Sequence, residues 1–407
     1  MTAGSAAPAG IPGSGRPAAH DTATPPPPPA PAAAPPVPPA SPAPGREGSR
    51  GRAGGRLRAL DGLRLVAALM VCGYHYGGRG GDISAAWGRD PDHVFPHLAG
   101  ALSYGPLGVQ IFFVISGFVI SMSGWGRTVK DFAVSRVTRL YPAYWAALIV
   151  VTVVFATAGM DRVPDSDLLV NFTMFQMPAG AQRVLGVCWT LWAEMRFYLL
   201  FALCVVWRGA TRRRVLAFCA VWTVTALYAE SAGDKFLDLA LMPEYAPFFV
   251  AGMCLYLIRR FGHDALTWGL LAGAFLLGQR EEVKALVAPD GMAVFHHRSV
   301  PVVLAVLTVG MLAVIAVTLV PAIADVQWRW LTLAGALTYP FYLVHEHLGW
   351  VMIGKLNQHT DLAPSAVLVI TVASMLLLAY ALHRLVERPF GPRLKRLLNK
   401  APVLTGR

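Results

Sequence analysis

Ten apolar segments separated by short polar connections constrain the fold of this chain most strongly. They lie at approximately 60–77, 105–123, 141–159, 188–207, 213–230, 244–260, 264–279, 300–320, 330–354 and 363–385. A helix needs about 20 apolar residues to span a bilayer, and most of these segments approach that length. With 55% hydrophobic and only 14% charged residues, the chain is too apolar for an ordinary soluble globule. We therefore predict an all-α, polytopic membrane helix bundle with about ten transmembrane helices.

The charges between the segments predict the orientation of the bundle. Basic clusters follow the second, fourth, sixth and tenth segments, whereas the connections on the opposite side are acidic or mixed. By the positive-inside rule, both termini lie in the cytosol of a multi-pass plasma-membrane protein. The same rule explains the net charge of +12, so we expect no nucleic-acid partner. The seventh segment and the following loop, residues 279–299, support this topology least.

The chain divides into one apolar domain and two polar tails. Residues 1–55 are rich in Pro and Ala, and they predict a disordered cytosolic tail because they contain too few large apolar side chains to form a core. Residues 56–390 form the predicted transmembrane domain, and residues 391–407 form a basic cytosolic tail. The first tail lacks the continuous apolar stretch of a signal peptide. The composition, rich in Arg, Ala, Gly and Pro, suggests a bacterial source.

The first apolar segment places a cation and an imidazole on one helix face. Arg64 and His75 are eleven residues apart, which returns them to nearly the same face at roughly 16 Å separation along the axis. Asp61 precedes Arg64 by three residues, and we expect the two to pair. Because charge inside a membrane is costly, such residues usually have a function.

Two arginines at helical spacing predict an anion site on the N-terminal side of the membrane. Arg136 and Arg139 follow the second segment, and two guanidiniums at this spacing can bind phosphates through several hydrogen bonds. A cytosolic anchor that obeys the positive-inside rule explains them equally well. If they bind an anion, Arg64 should join them, because it lies at a similar depth.

The fourth segment carries a carboxylate, Glu194, about 9 Å into its helix from the outer side. Arg196 faces elsewhere, so we expect Glu194 to contact another helix, such as that of His75; a structural ion pair is the alternative.

The ninth segment contains His345, Glu346 and His347. Residues two apart do not face the same ion on a helix, so we predict no metal site, and His345 either lines the site or packs.

The second segment contains the sequence GVQIFFVISGFVIS, in which Gly117 and Ser121 are four residues apart. Small residues at this spacing favour close packing of a neighbouring helix. Ser116 either shares this structural role or contacts a ligand directly.

The expected depths of the candidate site residues in the membrane describe two levels: Arg64, Arg136 and Arg139 near cytosolic phosphates, and His75, Glu194 and His345 in a drier layer. An acyl donor with a nucleotide at one end and a thioester on a long arm would fit this separation.

Five motifs in this order resemble the acyltransferase 3 family of integral-membrane O-acyltransferases. They are LRALDGLRLVAALMVCGYHY, GVQIFFVISGFVIS, FAVSRVTRLYPAYW, WTLWAEMRFYLL and YPFYLVH, and the resemblance extends over most of residues 57–388. It implies that an acyl group, often acetyl, moves from acyl-CoA to a hydroxyl of a carbohydrate or glycosylated product. It also implies functional roles for His75, Arg64, Arg136 and Arg139, while Glu194 matches an acidic position of the family.

The resemblance leads to a specific expectation about the reaction. His75 acts as the general base, Glu194 orients its imidazole, and the three arginines bind the CoA phosphates. No cofactor is bound, acetyl-CoA is the expected co-substrate, and the acceptor is a hydroxylated glycan or a glycosylated metabolite such as a macrolide antibiotic. Three alternatives stay open: a covalent intermediate on Cys72, a secondary transporter with an intramembrane Arg, Glu and His pathway, and an acyl-CoA sensor without turnover.

Overall fold

The computed structural model describes residues 57–159, 163–287 and 298–400, and every regular element within these ranges is helical. The all-α prediction is therefore confirmed for this part of the chain. The predicted disordered tail, residues 1–55, lies outside the described residues. So do residues 401–407 of the predicted basic tail, whereas residues 391–400 belong to a helix.

Seventeen α-helices follow one another in the described ranges. They are α1 (Arg58–Gly73), α2 (Asp82–Trp87), α3 (Pro91–Val94), α4 (Ala99–Leu102), α5 (Gly108–Gly124), α6 (Val129–Ala158), α7 (Asp165–Asn171), α8 (Cys188–Phe201), α9 (Arg212–Ala232), α10 (Lys235–Leu241), α11 (Ala246–Phe261), α12 (Ala265–Val287), α13 (Val300–Leu319), α14 (Pro321–Ala324), α15 (Arg329–His359), α16 (Pro364–Leu382) and α17 (Arg388–Lys400). Single π-helical turns extend α1, α8 and α16 at Tyr74–Gly78, Ala202–Val206 and His383–Glu387, and a 3₁₀ turn, Gly105–Leu107, precedes α5.

Seven helical stretches are long and apolar enough to cross a membrane. They are Ala99–Gly124, Val129–Ala158, Cys188–Val206, Arg212–Ala232, Lys235–Phe261, Val300–Leu319 and Pro364–Lys400. Each coincides with one of the predicted segments, so the protein is a multi-pass membrane protein. The other three predicted segments are also helical and lie in α1, α12 and α15. The total of ten spans and the cytosolic position of the termini stay predictions.

Helices α6 and α9 begin and end where the sequence supplies capping residues. The Thr128 side chain accepts a hydrogen bond of 3.1 Å from the backbone N–H of Asp131 at the start of α6. Thr211 does the same for Arg214 at the start of α9. Both helices end at glycines with positive φ, 68° at Gly159 and 62° at Gly233, a conformation that costs other residues free energy.

Helices α5 and α11 approach each other closely because each presents a glycine to the backbone of the other. A Cβ atom on Gly117 would overlap the carbonyl group of Phe249, and one on Gly252 would overlap that of Val114. Ser121 is also fully buried. The prediction that this small-residue stretch admits a neighbouring backbone is therefore confirmed at Gly117. This contact fixes the position of α5, which forms one wall of the site described below.

We expect Gly117→Leu to lower the free energy of unfolding of the bundle by about 1–3 kcal/mol. The reason is that backbone atoms of α11 cannot move aside as a flexible side chain would. The measurement is thermal unfolding of the purified protein in detergent. Gly269→Leu is the matched control, since a Cβ atom there would meet open space. Equal melting temperatures for the two variants would contradict this account of the α5–α11 contact.

Helix α1 lies between two apolar clusters. Ala67 and Val71 belong to a cluster that also contains much of α5 and α11. Ala68 and Cys72 belong to a second cluster, which contains side chains of α6, α15 and α16. Adjacent faces of α1 thus pack against different clusters, and its polar side chains Asp61, Arg64 and His75 are at least half-buried.

Candidate active site

His75 lies in the π-helical turn that extends α1, beside a carboxylate of α15. Its Nδ1 atom is 3.2 Å from Oε1 of Glu346, and both side chains are largely shielded from solvent. The pair is within ion-pair distance, although Nδ1 is not aligned for a hydrogen bond. Hydrogen bonds between catalytic groups are often long or poorly aligned before substrate binds. The arrangement can hold a proton on Nδ1 and leave Nε2 as the basic nitrogen.

Several contacts fix the π-helical turn against α15. The indole N–H of Trp350 donates a hydrogen bond of 2.9 Å to the backbone carbonyl of His75. The hydroxyl of Tyr76 donates one of 2.5 Å to the carbonyl of His345. Arg79, just beyond the turn, places a guanidinium nitrogen 3.8 Å from the same Glu346 oxygen that faces His75. The imidazole and its carboxylate are thus held in place by backbone contacts as well as by charge.

His345 lies next to His75, and its side chain is fully buried. The ring centroids are 5.3 Å apart in an edge-to-face arrangement. Nδ1 of His345 is 2.9 Å from the carbonyl oxygen of Tyr342, so this nitrogen carries the proton when the ring is neutral. Among the described residues, its Nε2 atom and Oε2 of Glu346 are buried without a hydrogen-bond partner. Two buried acceptors therefore remain available beside His75.

A large cavity of about 1030 Å³ has His75, Arg79 and Glu346 in its wall. The loop before α8 forms another part of the wall, where Gly186 allows the chain to approach the Glu346 carboxylate so closely that a Cβ atom would overlap it. The rest of the lining is rich in charge, and its further carboxylates are Glu230, Asp238, Glu244, Glu281 and Glu282. A polar cavity of this size can hold a molecule with many hydroxyl groups.

The three predicted arginines form a second group nearer the start of α1. Arg64 interacts electrostatically with both Arg139 and Glu194, and Arg136 with Glu194. The Arg136 guanidinium lies over the ring of Tyr198, 5.9 Å from its centroid. The Tyr198 hydroxyl is 3.0 Å from Oε2 of Glu194. Arg64 and Arg136 thus each lie within electrostatic range of Arg139 and of Glu194.

The arginine group has unused hydrogen-bonding capacity. Within the described ranges, the Nε atoms of Arg64 and Arg136 are buried without a hydrogen-bond partner. Arg139 lies 3.8 Å from Oε1 of Glu387, at the outer limit of an ion pair, and over the ring of Tyr339. Three carboxylates, Asp61, Glu194 and Glu387, accompany the three guanidiniums, so the group has no net charge and offers an anion the N–H groups that have no partner. Such a group can bind an anion such as a phosphate.

The prediction that Glu194 orients the His75 imidazole is wrong. Glu346 lies beside the imidazole, and Glu194 lies with the arginines. The error comes from the depth at which α8 begins. Gly186, two residues before this helix, already lies beside Glu346 inside the bundle. Glu194 is a further 9 Å along the helix by its rise per residue, which takes it to the level of Arg64. Arg196 does face elsewhere, since it donates to the carbonyl of Leu239.

Two further predicted residues lie near the arginines. Asp61 packs against Gly335 of α15 and lies within electrostatic range of Arg64. Ser116 is buried beside the Tyr198 hydroxyl. Both residues therefore lie with the arginine group and not beside His75.

Sequence reasoning missed Glu346 and Arg79, although one signal for Glu346 was present. Its carboxylate lies in an apolar segment, and charge in such a segment usually has a functional partner. We considered it only as the middle residue of a His-x-His pair. No local signal pointed to Arg79, because its position beside Glu346 depends on a contact between residues 267 positions apart in the chain.

A small cavity of about 50 Å³ lies between the two groups. Arg64 and Glu194 belong to its lining, while Val109 and Tyr342 line both this cavity and the large one. Four helices, α1, α5, α8 and α15, supply these walls. The arginine group and the His75–Glu346 pair thus lie along one internal axis of the bundle.

Comparison with known proteins identifies the family. Residues 57–384 match the acyltransferase 3 family, described as an acyltransferase domain. The chain is 25% identical over 396 residues to the acyltransferase MdmB of Streptomyces mycarofaciens, covering 86% of this chain and 95% of MdmB. It is 29% identical over 300 residues to the exopolysaccharide production protein ExoZ of Rhizobium meliloti, covering 70% and 89% of the two chains.

A shorter match covers part of a peptidoglycan enzyme. The chain is 28% identical over 168 residues to the peptidoglycan O-acetyltransferase OatA of Listeria monocytogenes, which is 35% of this chain and 23% of OatA. No solved structure matches. The family match extends from the start of α1 to the π-helical turn after α16, so it contains the His75–Glu346 pair and the three arginines Arg64, Arg136 and Arg139. This multi-pass membrane protein therefore belongs to the acyltransferase 3 family.

Proposed function

We propose that the protein is a membrane O-acyltransferase that moves an acyl group, most simply acetyl, from acyl-CoA to a hydroxyl of a carbohydrate or glycosylated metabolite. The observation that carries the proposal is the His75–Glu346 pair, 3.2 Å apart in the wall of a large polar cavity. A hydroxyl is a poor nucleophile at neutral pH, so its attack on a thioester needs a positioned base. The pair supplies such a base.

In this mechanism, Nε2 of His75 accepts the proton of the acceptor hydroxyl while the hydroxyl oxygen attacks the thioester carbonyl. The tetrahedral intermediate collapses with cleavage of the C–S bond. The imidazolium then returns its proton to the departing CoA thiolate, so the products are an ester and free CoA. Glu346 keeps the proton on Nδ1 and stabilises the imidazolium that forms. No bound cofactor or metal enters these steps.

The arginine group is the proposed site for the CoA phosphates. Guanidiniums bind phosphate oxygens through paired hydrogen bonds, and Arg64 and Arg136 each have an unpartnered Nε. Arg64 and His75 are separated by roughly 16 Å of helix, a length that the extended arm of CoA can span. With the termini in the cytosol, as the positive-inside rule predicts, the phosphates would lie on the cytosolic side.

The acceptor would occupy the large cavity at the other end of this axis. Its carboxylates and guanidiniums can form hydrogen bonds to the hydroxyl groups of a sugar. The names of ExoZ and OatA refer to an exopolysaccharide and to peptidoglycan, which supports a glycan acceptor. A small glycosylated acceptor, such as a macrolide antibiotic, is the alternative. The name of MdmB, which is matched over 95% of its length, states an acyltransferase without an acceptor.

The proposal is tested with purified protein, labelled acetyl-CoA and a panel of glycosylated acceptors that includes an oligosaccharide, a lipid-linked sugar and a macrolide. We expect label in one acceptor and an equal amount of free CoA. The position of the ester is then read by mass spectrometry and NMR. If no acceptor is labelled and no CoA is released from any acyl-CoA, the acyl-CoA-dependent reaction is excluded.

The double variant Arg136→Ala/Arg139→Ala should raise the dissociation constant of acetyl-CoA at least tenfold, since each charged hydrogen bond contributes about 1.5–3 kcal/mol. Binding of labelled acetyl-CoA to the purified protein measures this. Arg393→Ala/Arg396→Ala is the matched control, because it removes two arginines of the same spacing from the exposed face of α17. Equal affinity in both double variants would exclude the phosphate site.

A further inference from the structure

The small and large cavities share part of their lining. Val109 and Tyr342 belong to the walls of both cavities. The small cavity, about 50 Å³, contains Arg64 in its lining, and the large one, about 1030 Å³, contains His75. An arm that runs from the arginine group to His75 must therefore pass Tyr342.

The spacing along α15 gives the direction of this route. Tyr339, Tyr342 and Glu346 lie at positions i, i+3 and i+7, so they share one face of the helix. Tyr339 lines only the small cavity, Tyr342 lines both, and Glu346 lines only the large one. From Tyr339 to Glu346 the helix rises roughly 10 Å. Tyr342 therefore lies part of the way along the route, below the reacting groups.

Tyr342 is held in place by two neighbours. Its hydroxyl is 3.2 Å from Oγ1 of Thr190. The ring of Phe112 packs edge-to-face on the Tyr342 ring with centroids 5.7 Å apart. Phe112 and Thr190 also line the small cavity. Aromatic rings held in this way have little freedom to give space to a wide group.

We propose that Tyr342, together with Phe112 and Thr190, forms a neck that selects the acyl group by its cross-section. This inference rests on the proposed function, because it assumes that acyl-CoA enters from the arginine side. A linear acyl chain is no wider than the thioester arm that follows it, so it passes the neck. An acyl group branched at the carbon beside the carbonyl, or an aromatic one, is wider and is rejected. One or two extra carbons in a close-fitting apolar site change selectivity by about 10- to 200-fold.

The test is competition for binding between labelled acetyl-CoA and unlabelled acetyl-, butyryl-, isobutyryl- or benzoyl-CoA on the purified full-length protein. For the unaltered protein we expect butyryl-CoA to compete nearly as well as acetyl-CoA, and isobutyryl- and benzoyl-CoA at least about tenfold less well. Tyr342→Ala should bring isobutyryl-CoA within about threefold of butyryl-CoA, since the ring no longer narrows the route. Tyr342→Phe keeps the ring and should keep the selectivity.

Two further variants make the result independent of folding in any one of them. Phe112→Ala widens the neck from the opposite side and should relax selectivity in the same direction as Tyr342→Ala. Tyr256→Ala is the matched control, because its ring packs against Phe118 and Trp125 and lines neither cavity. Its ratio of isobutyryl- to butyryl-CoA affinity should equal that of the unaltered protein.

The outcomes separate the neck from the proposed function. If acetyl-CoA binds but butyryl- and isobutyryl-CoA compete equally in the unaltered protein, the neck does not select and the inference is overturned. The same holds if Tyr342→Ala and Phe112→Ala keep full selectivity. If labelled acetyl-CoA does not bind to the unaltered protein at all, the proposed donor is wrong. The inference about the neck is then overturned as well.

Discussion

We expect loss of the His75 imidazole in the His75→Ala protein to reduce acyl transfer by about 10²–10⁴-fold, the usual contribution of a general base. The physical reason is that, among the described residues, His75 is the only histidine in the lining of the large cavity. His345 is adjacent and its Nε2 has no partner, but its side chain is fully buried and lies outside this lining, so Nε2 does not face an acceptor in the cavity. The measurement is the initial rate of ester formation at saturating acetyl-CoA.

His347→Ala is the control for this variant. Its side chain also belongs to α15, but its Nδ1 lies 2.9 Å from the carbonyl oxygen of Val184, and it is not part of the large cavity's lining. We expect His347→Ala to keep most of the activity. A fully active His75→Ala protein would eliminate His75 as the base, and equal losses in both variants would point to a general packing defect between the π-helical turn after α1 and α15.

Glu346→Gln should lower the turnover number by at least about 10²-fold while changing the affinity for acetyl-CoA little. A carboxamide has no negative charge to stabilise the imidazolium. It can also donate its own N–H to Nδ1, which favours the wrong tautomer and places the proton on Nε2, where the base must be free. Steady-state kinetics on the purified protein separate the turnover number from the Michaelis constant.

Glu194→Gln is the informative comparison, because the sequence alone favoured Glu194 as the partner of His75. In the structure Glu194 accompanies Arg64 and Tyr198, so its loss should alter donor affinity more than turnover. A larger loss of turnover in Glu194→Gln than in Glu346→Gln would contradict the assignment of Glu346. Gly186→Ala adds an independent check, since its methyl group would displace the Glu346 carboxylate and should resemble Glu346→Gln in its kinetics.

The features that the sequence predicted well are those set by local patterns. The apolar runs are helices, Arg139 lies within electrostatic range of both Arg64 and Arg136, and Gly117 meets a neighbouring backbone. Each of these follows from helix periodicity or from the size of a side chain. Helix periodicity also placed Arg64 and His75 at different depths on one helix, and each now has its own group of neighbours.

The features that the sequence did not predict depend on contacts between distant parts of the chain. Glu346 meets His75 across 271 positions, and nothing local selects one buried carboxylate over another. The depth of Glu194 was misjudged because α8 was assumed to begin at the membrane surface, whereas the loop containing Gly186 enters the bundle first. Helix rise gives the distance between two residues of one helix accurately, but it does not fix where the helix starts.

The central claim is that donor recognition and proton transfer belong to two separate groups of residues along one axis. The most direct test is the dissociation constant of labelled acetyl-CoA for His75→Ala, measured beside Arg136→Ala/Arg139→Ala. We predict that His75→Ala binds acetyl-CoA with an affinity close to that of the unaltered protein, although this variant transfers the acyl group far more slowly. For the arginine variant we predict at least tenfold weaker binding of acetyl-CoA. Weak binding to His75→Ala together with unchanged binding to the arginine variant would contradict the central claim.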